Sequence, residues 1–407
     1  MKTTSDTSTS GWRSALIWGF GAALAQRLLL GIWMAGVWLA GGSFFAETAD
    51  FQTKADSMLP PLDAMQELIF GVWRRWDAIH YLDVALNGFI PQNEPLSVFP
   101  PLTAWGIRAF ASVFPPLDLG AMIFSTLAFG LALTFLYRMC QVYLRDEGLA
   151  PWAVALTALL PLGHFFSAPM SEGIYLAMTL GTFYFAARSN LWAAALCGFL
   201  ATMARTQGVL LAPIALLILL EQHWHLTTTW RARAALVIRH GYPLVLIPAA
   251  VLLYNLYRSA LGFRPLDVLY REMSYRFFVN PLEGLWINLR YLATADPWNV
   301  DGWAVVITLL LCAAFVVRVR MKNLPLTFYT LGFVAVFLTP INYQYGTDMV
   351  TNTQSFGRYA LILFPLTLMV ADILRQSGKW VRLAAIAGLL FLTLGLSARH
   401  VLGILGP

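Results

Sequence analysis

Residues 191–220 read LWAAALCGFLATMARTQGVLLAPIALLILL, an apolar run whose one charged side chain is Arg205. A membrane-spanning helix needs about 20 consecutive apolar residues, so this run is long enough to cross a bilayer. Comparable runs recur from one end of the chain to the other. The pattern therefore predicts that most of the chain is surrounded by lipid.

The composition agrees with a membrane protein. Of the 407 residues, 58% are hydrophobic and 12% are charged, whereas an average soluble domain has about 25% charged residues. We predict an all-α polytopic fold in which residues 1–407 form a single membrane domain of about eleven transmembrane helices. The expected spans are approximately 14–41, 96–114, 119–143, 150–167, 171–187, 191–220, 242–260, 302–318, 325–340, 356–374 and 381–402.

Three hydrophilic loops, at 42–95, 261–301 and 342–355, interrupt the apolar runs. Basic side chains cluster instead in three other connections, where they are Arg231, Arg233, Arg239, Arg318, Arg320, Lys322, Arg375, Lys379 and Arg382. The positive-inside rule places these connections in the cytoplasm and explains the net charge of +6 without a nucleic acid partner. With eleven helices, the three hydrophilic loops then share the extracytoplasmic side, and so do Arg138 and Arg145.

The segment 70–89, FGVWRRWDAIHYLDVALNGF, lies in the first hydrophilic loop. Trp73, Trp76 and Val84 recur at helical spacing, and Gly88 is typical of a residue that ends a helix. The aromatic face suits a helix that lies in the membrane interface. We therefore predict that the first loop contains interfacial helices.

On a continuous helix, Arg74, Asp77 and Tyr81 share one face, and His80 lies beside them. A carboxylate that is partly desolvated but paired with a cation suits a general base acting on an acceptor hydroxyl. The alternative from spacing alone is an interfacial helix whose Arg74–Asp77 ion pair only increases its solubility.

Two stretches, RWDAIHYL (75–82) and VFPPL (98–102), resemble the first luminal loop of PIG-V-type mannosyltransferases, which belong to the GT-C superfamily. That family has Arg-Trp-Asp, then an aromatic residue and Gly-Tyr, then a Phe-Phe-Pro-Leu-type helix entry. Phe89 stands where the family usually has Tyr, and Pro101 replaces its usual Leu. Three weaker matches follow in family order, at PMSE (169–172), ARTQG (204–208) and SFGRY (355–359), the last continued by Phe364-Pro365.

The resemblance implies a GT-C-like fold, with a large first extracytoplasmic loop that carries the catalytic base, and it assigns that role to Asp77. It also implies that the sugar donor is a polyprenyl- or dolichyl-phosphate sugar, most directly of mannose. The resemblance and the local spacing together suggest a supporting set made of Arg74, Arg75, His80, Tyr81, Glu172, Gln207 and Tyr359.

Buried arginines are the second class of candidate. A charge inside the bilayer is costly and usually faces a cavity or a partner. Arg358 and Arg205 are predicted to bind the donor phosphate, because guanidinium forms bidentate pairs with phosphate oxygens. A structural ion pair with Glu172 is the alternative for Arg205. The predicted helix count places Glu172 on the cytoplasmic side, away from Asp77, unless the helices near 150–187 are broken. For Arg27, beside Gln26 in the first helix, a snorkelling or helix-pairing role is expected.

No motif calls for a cofactor, and none calls for a metal, although a divalent ion could bind acids of the outer loops, namely Asp267, Glu272, Asp296, Asp301 and Asp348. The expected partners are a lipid-phosphate sugar, a glycolipid, glycan or protein acceptor, and the lipid of a plasma membrane or an endoplasmic reticulum. Two other functions stay open, a transporter or flippase of lipid-linked sugar and a non-catalytic membrane subunit.

Overall fold

The computed structural model describes residues 9–41, 53–224, 229–272, 276–319, 322–343 and 350–403. Residues 42–52 of the first hydrophilic loop lie outside these ranges, and so do residues 344–349 of the third, which include Asp348. The described chain is helical apart from one small sheet. Its helices are α1 (Thr9–Gly41), α2 (Ala64–Ile69), α3 (Asp77–Asn87), α4 (Leu102–Ala111), α5 (Leu117–Val142), α6 (Ala150–Ala158), α7 (His164–Ser167), α8 (Glu172–Ala187), α9 (Leu191–Ala204), α10 (Leu211–His223), α11 (Trp230–Gly241), α12 (Leu246–Ala260), α13 (Leu266–Glu272), α14 (Pro281–Thr294), α15 (Val300–Val319), α16 (Leu324–Phe337), α17 (Phe356–Ala360), α18 (Phe364–Gln376) and α19 (Lys379–Val401).

Several of these helices are suited to lipid. Within the described residues, six helical stretches are long and apolar enough to cross a membrane, at Gly11–Gly41, Leu117–Val142, Thr206–His223, Trp230–Ala260, Val300–Val319 and Lys379–Val401. Two shorter apolar helices are Leu191–Ala204 and Leu324–Phe337. The all-α polytopic membrane fold is therefore confirmed, while the count of eleven crossings stays a prediction.

The basic connections gather at one end of the helix bundle. Arg375 donates to both carboxylate oxygens of Asp146 at 2.7 and 2.8 Å, and it also pairs with Asp372, which contacts Arg318 at 2.5 Å. These contacts bring the 143–149 turn to the same end as the connections after α15 and α18. The prediction that Arg145 lies on the opposite side from the basic loops is therefore wrong.

The reason is that residues 96–114 do not form the long helix that was predicted. α4 has only ten residues. On one side of it, Ser97 and Phe99 accept hydrogen bonds from the Tyr254 hydroxyl. On the other side, Asp118 at the start of α5 pairs with Arg74 of the first loop. Both flanks of α4 therefore lie at the end of the bundle that carries the first loop.

The predicted helix over 150–167 is interrupted inside the bundle, between α6 and α7. Backbone carbonyls that a break exposes in a membrane must find partners within the protein. Gln26 of α1 donates to the carbonyls of Ala158 and Gly163, at 2.8 and 3.2 Å. Arg27 donates to the carbonyl of Ser167. These contacts confirm the helix-pairing role expected of Arg27 and show what stabilises the interruption.

The second and third hydrophilic loops are joined by the small sheet. Strand β1 (Arg276–Phe278) pairs antiparallel with β2 (Pro340–Asn342), so that Arg276 lies opposite Asn342. The Asp301 carboxylate accepts from the backbone N–H of Ser355 and of Gly357, both at 2.8 Å. The sheet and this capping contact hold β1 and α17 beside the first loop.

Candidate active site

Asp77 is the first residue of α3, and the chain changes direction immediately before it. The predicted helix over 70–89 is in fact a 3₁₀ turn at Gly71–Trp73, a break, and then α3. Trp76 adopts a φ of 55°, a conformation that few non-glycine residues adopt. As predicted, Gly88 ends the helix, with a φ of 77°. Because of the break, spacing along a continuous helix does not describe which side chains meet Asp77.

Arg74 and Arg75 are therefore corrected from supporting site residues to structural ones. Arg74 is buried and forms a bidentate pair with Asp118, at 2.7 and 2.6 Å, rather than with Asp77. Arg75 lies 3.6 Å from Glu67 and donates to the carbonyls of Gly71 and Val401. Both side chains connect the first loop to the helices beneath it.

The partner of Asp77 is Arg358, at the other end of the sequence. Arg358 Nη2 lies 2.6 Å from Asp77 Oδ2, and its Nε lies 2.8 Å from Glu172 Oε1. The same Glu172 oxygen accepts a hydrogen bond from Arg205, whose Nε donates to Ser171 at 2.8 Å. Two carboxylates and two guanidiniums thus form one continuous cluster, in which Glu172 is fully buried.

The placement of Glu172 away from Asp77 is wrong. The residues between α7 and α8 return to the level of α3, and Glu172 begins α8 inside the site. The interruption between α6 and α7 makes this position possible. It is the break near 150–187 that the sequence analysis gave as the condition for Glu172 to lie near Asp77. The structural pair of Arg205 with Glu172, the alternative from the sequence, is confirmed.

Arg205 reaches the cluster because residues 191–220 form two helices rather than one. α9 ends at Ala204, and Arg205 has an extended backbone before a 3₁₀ turn at Thr206–Leu210. Gly208 lies so close to the preceding helix that a Cβ there would be 2.5 Å from the backbone nitrogen of Thr202. The glycine of the ARTQG segment therefore permits the reversal that brings Arg205 and Gln207 to the site.

A cavity of about 420 Å³ opens beside Asp77. The predicted residues that line it are Asp77, His80, Tyr81, Arg205, Gln207, Arg358 and Tyr359. Three further titratable residues of its lining, Lys54, Tyr270 and Arg276, were not predicted. Lys54 comes from the first loop, and the other two come from the second. Their positions depend on loop folding, for which the local sequence carries no periodic signal.

The charges around Asp77 set its protonation state. Burial alone raises the pKa of the Asp77 carboxyl, but Arg358, His80 and Arg276 together bring it below its ordinary value. Asp77 is therefore a carboxylate at neutral pH and can accept a proton. Burial lowers the pKa of His80 below its ordinary value of 6.5, so its imidazole is neutral at the same pH. His80 lies against Phe99, with the ring centroids 6.0 Å apart.

Three of the acids that could bind a divalent ion have other contacts in the structure. Asp301 caps α17, Glu272 pairs with Arg264 at 2.8 Å, and Asp296 accepts from the backbone N–H of Trp298. Across the described ranges, no three His, Cys, Asp or Glu side chains converge as metal ligands would. The expectation about cofactors stays a prediction.

Comparison with known proteins adds the family. Residues 48–258 match the family model described as mannosyltransferase (PIG-V), a match that spans half of the chain and contains Asp77, Glu172 and Arg205. Arg276 and Arg358 lie beyond the matched region. Among curated proteins none matches the chain. The matched length and the long apolar helices lead to one conclusion: this chain belongs to the PIG-V mannosyltransferase family and is an integral membrane glycosyltransferase.

Proposed function

We propose that the protein transfers mannose from a polyprenyl- or dolichyl-phosphate donor to a hydroxyl group of an acceptor. The observation that carries the proposal is the position of Asp77, a charged carboxylate at the wall of a cavity whose charged side chains are mainly cations. Among the described residues of the lining, Lys54, Arg205, Arg276 and Arg358 are cations and Asp77 is the one acid. An excess of positive charge suits a substrate that leaves behind a phosphate.

In this proposal Asp77 is the general base, a role that its contact with Arg358 and its place in the cavity wall support. Its Oδ2 contacts Arg358, and we assign Oδ1 to the acceptor hydroxyl. The acceptor hydroxyl transfers its proton to the Asp77 carboxylate while its oxygen forms a bond to sugar C1. The bond between C1 and the donor phosphate oxygen breaks, and the lipid phosphate departs with the bonding electrons. This direct displacement inverts the anomeric centre, and the arginines neutralise the charge that develops on the phosphate.

We assign the site to the extracytoplasmic or luminal side of a plasma membrane or an endoplasmic reticulum. The support for this side is the position of the basic connections, since Arg318 and Arg375 lie at the end of the bundle opposite Asp77. Short basic loops remain in the cytoplasm during insertion. The glycolipid, glycan or protein that accepts the sugar must then present its hydroxyl from the other side. The scheme uses side-chain cations alone and requires no cofactor.

The test is transfer of labelled mannose from a short-chain polyprenyl-phosphate-mannose by purified protein, with a membrane lipid extract as the acceptor source. Loss of a general base costs roughly 10²- to 10⁴-fold in rate. Asp77→Asn is therefore expected to lose transfer while still binding the donor.

The matched control is Asp83→Asn, on the same helix. Asp83 is buried and accepts from Asn87 and Asn93, and it does not line the cavity. The control is expected to keep transfer within a few-fold of the wild type. Equal transfer by wild type and Asp77→Asn contradicts the assignment of the base. Movement of intact donor across vesicles without any transfer supports the flippase alternative instead, and binding with neither activity supports the non-catalytic subunit.

A further inference from the structure

Arg276 differs from the other arginines of the cavity in what its guanidinium contacts. Its Nε donates to Asn342 Oδ1 at 3.2 Å, and its Nη1 donates to the Tyr359 hydroxyl at 3.3 Å. Both partners are neutral groups. Among the residues that the structure describes, Arg276 forms no ion pair with a carboxylate, and its Nη2 has no hydrogen-bond partner.

Arg358 and Arg205 are already engaged by carboxylates. Arg358 lies between Asp77 and Glu172, and Arg205 pairs with Glu172. The positive charge of each guanidinium is therefore already compensated by a carboxylate inside the protein. Arg276 offers a positive charge that no carboxylate of the described residues pairs with, and its Nη2 is free to donate.

Arg276 is also held in a fixed orientation. The β1–β2 pairing places it opposite Asn342, the same residue whose side chain accepts from its Nε. A guanidinium that is fixed before the substrate arrives loses little freedom when it forms bidentate hydrogen bonds to a phosphate. Arg276 and Asp77 line the same cavity, and Arg276 is among the charges that lower the pKa of the Asp77 carboxyl.

We propose that Arg276 is the direct ligand of the donor's phosphate, and that Arg358 and Arg205 serve mainly to hold Asp77 and Glu172. This inference rests on the proposed transfer from a lipid phosphate. It moves the phosphate-binding role from the two arginines of the family-like segments to a strand in the second hydrophilic loop.

The experiment measures binding of a short-chain polyprenyl phosphate, which carries the phosphate without the sugar, to the purified full-length protein. The matching uncharged polyprenol is measured in parallel. Because charge-assisted hydrogen bonds are lost, Arg276→Gln is expected to weaken binding of the phosphate by roughly tenfold to a hundredfold. It should leave binding of the polyprenol unchanged. Arg276→Lys is expected to recover part of the affinity, as a cation without the bidentate geometry.

The matched control is Arg264→Gln in the same loop. Arg264 is exposed and pairs with Glu94 and Glu272, so its loss should not alter binding of either lipid. Wild-type affinity of Arg276→Gln for the phosphate overturns the inference, and so does an equal loss of affinity for the polyprenol, which indicates a structural role.

Transfer by the wild type separates this inference from the proposed function. If the wild type binds the phosphate through Arg276 but transfers no mannose, the phosphate site stands and the proposed reaction fails. If the wild type transfers mannose and Arg276→Gln binds the phosphate normally, the reaction stands and the inference fails.

Discussion

Arg358 Nη2 lies 2.6 Å from Asp77 Oδ2, although the two residues belong to opposite halves of the sequence. Asp77 begins a helix of the first loop, and Arg358 is on a five-residue helix before α18. Without the arginine, the carboxylate would be a partly buried acid whose pKa burial raises. The contact therefore keeps Asp77 ionised, which is the state that a base requires.

The pH dependence of transfer tests this relationship. In the wild type, the lowered pKa keeps Asp77 charged on acidification from neutral pH, so the rate should stay level until the pH falls below its ordinary value of 3.8. Arg358→Gln removes the main cause that lowers the pKa and leaves the effect of burial. The acidic limb of the rate profile is then expected to move to higher pH.

Arg358→Lys is the matched control, because it restores the charge and should return the limb toward the wild-type position. The measurement is initial transfer rate against pH in each variant, at saturating donor. A limb that stays in place in Arg358→Gln shows that Arg358 does not set the ionisation of Asp77.

Glu172 holds two guanidiniums together, and its removal should destabilise the protein. Glu172→Gln leaves Arg205 and Arg358 buried with one carboxylate fewer between them. Removing one partner of a buried ion pair costs about 3–5 kcal/mol, because an uncompensated charge stays buried. We expect a corresponding loss in the free energy of unfolding, measured by denaturant titration in detergent micelles.

The control for Glu172 is Glu221→Gln, at the other end of the bundle. Glu221 accepts from Tyr143 at 3.3 Å in an exposed position, and such contacts are worth about 1 kcal/mol or less. Similar losses for the two variants would show that Glu172 is not the organising carboxylate of the cluster.

The membrane fold could be predicted from the sequence, and so could Asp77 as the candidate base, because each depends on local information. An apolar run as long as residues 191–220 predicts a segment that lies in the membrane. Asp77 lies in a motif of consecutive residues. The interruption at Arg205 was not predicted, since the backbone turns there through a contact between Gly208 and Thr202 that no hydrophobicity pattern records.

The errors about Arg74 and Glu172 and the omission of Arg276 share a physical origin. The predicted contact between Arg74 and Asp77 assumes an unbroken helix. The positive φ of Trp76 marks a break between the two residues. The predicted position of Glu172 depends on the number of membrane crossings before it. One of those predicted crossings, 96–114, contains only the ten-residue helix α4. Arg276 depends on pairing between strands that lie more than sixty residues apart. Each of these features is set by tertiary contacts rather than by spacing along the chain.

Gln26 provides a test of how the interrupted helix is stabilised. Gln26→Leu removes the donor to the carbonyls of Ala158 and Gly163. The Gly163 carbonyl still accepts from the backbone N–H of Phe166, whereas the Ala158 carbonyl loses its hydrogen bond at a cost of about 1–3 kcal/mol. We expect reduced stability together with reduced transfer, because the interruption places Glu172 in the site. Leu28→Ala on the same helix is the control, since that side chain is 55% exposed in the protein and faces outward. Stability of Gln26→Leu equal to that of the control would show that the carbonyls find other partners.

Variants of the Arg74–Asp118 pair test whether the role of Arg74 is structural or catalytic. Asp118→Asn and Arg74→Met each leave one buried charge without its partner, so each is expected to lose about 3–5 kcal/mol of unfolding free energy. The double variant, Arg74→Met with Asp118→Leu, buries no charge at this position and should be more stable than either single variant.

None of these three variants should shift the pH profile of transfer, with rates normalised to the folded protein, because Arg74 does not contact Asp77. A shifted acidic limb in Arg74→Met would instead support an Arg74–Asp77 pair, the arrangement that helical spacing suggested. Unfolding titrations of the three variants, with rates normalised to the folded protein, decide between the two.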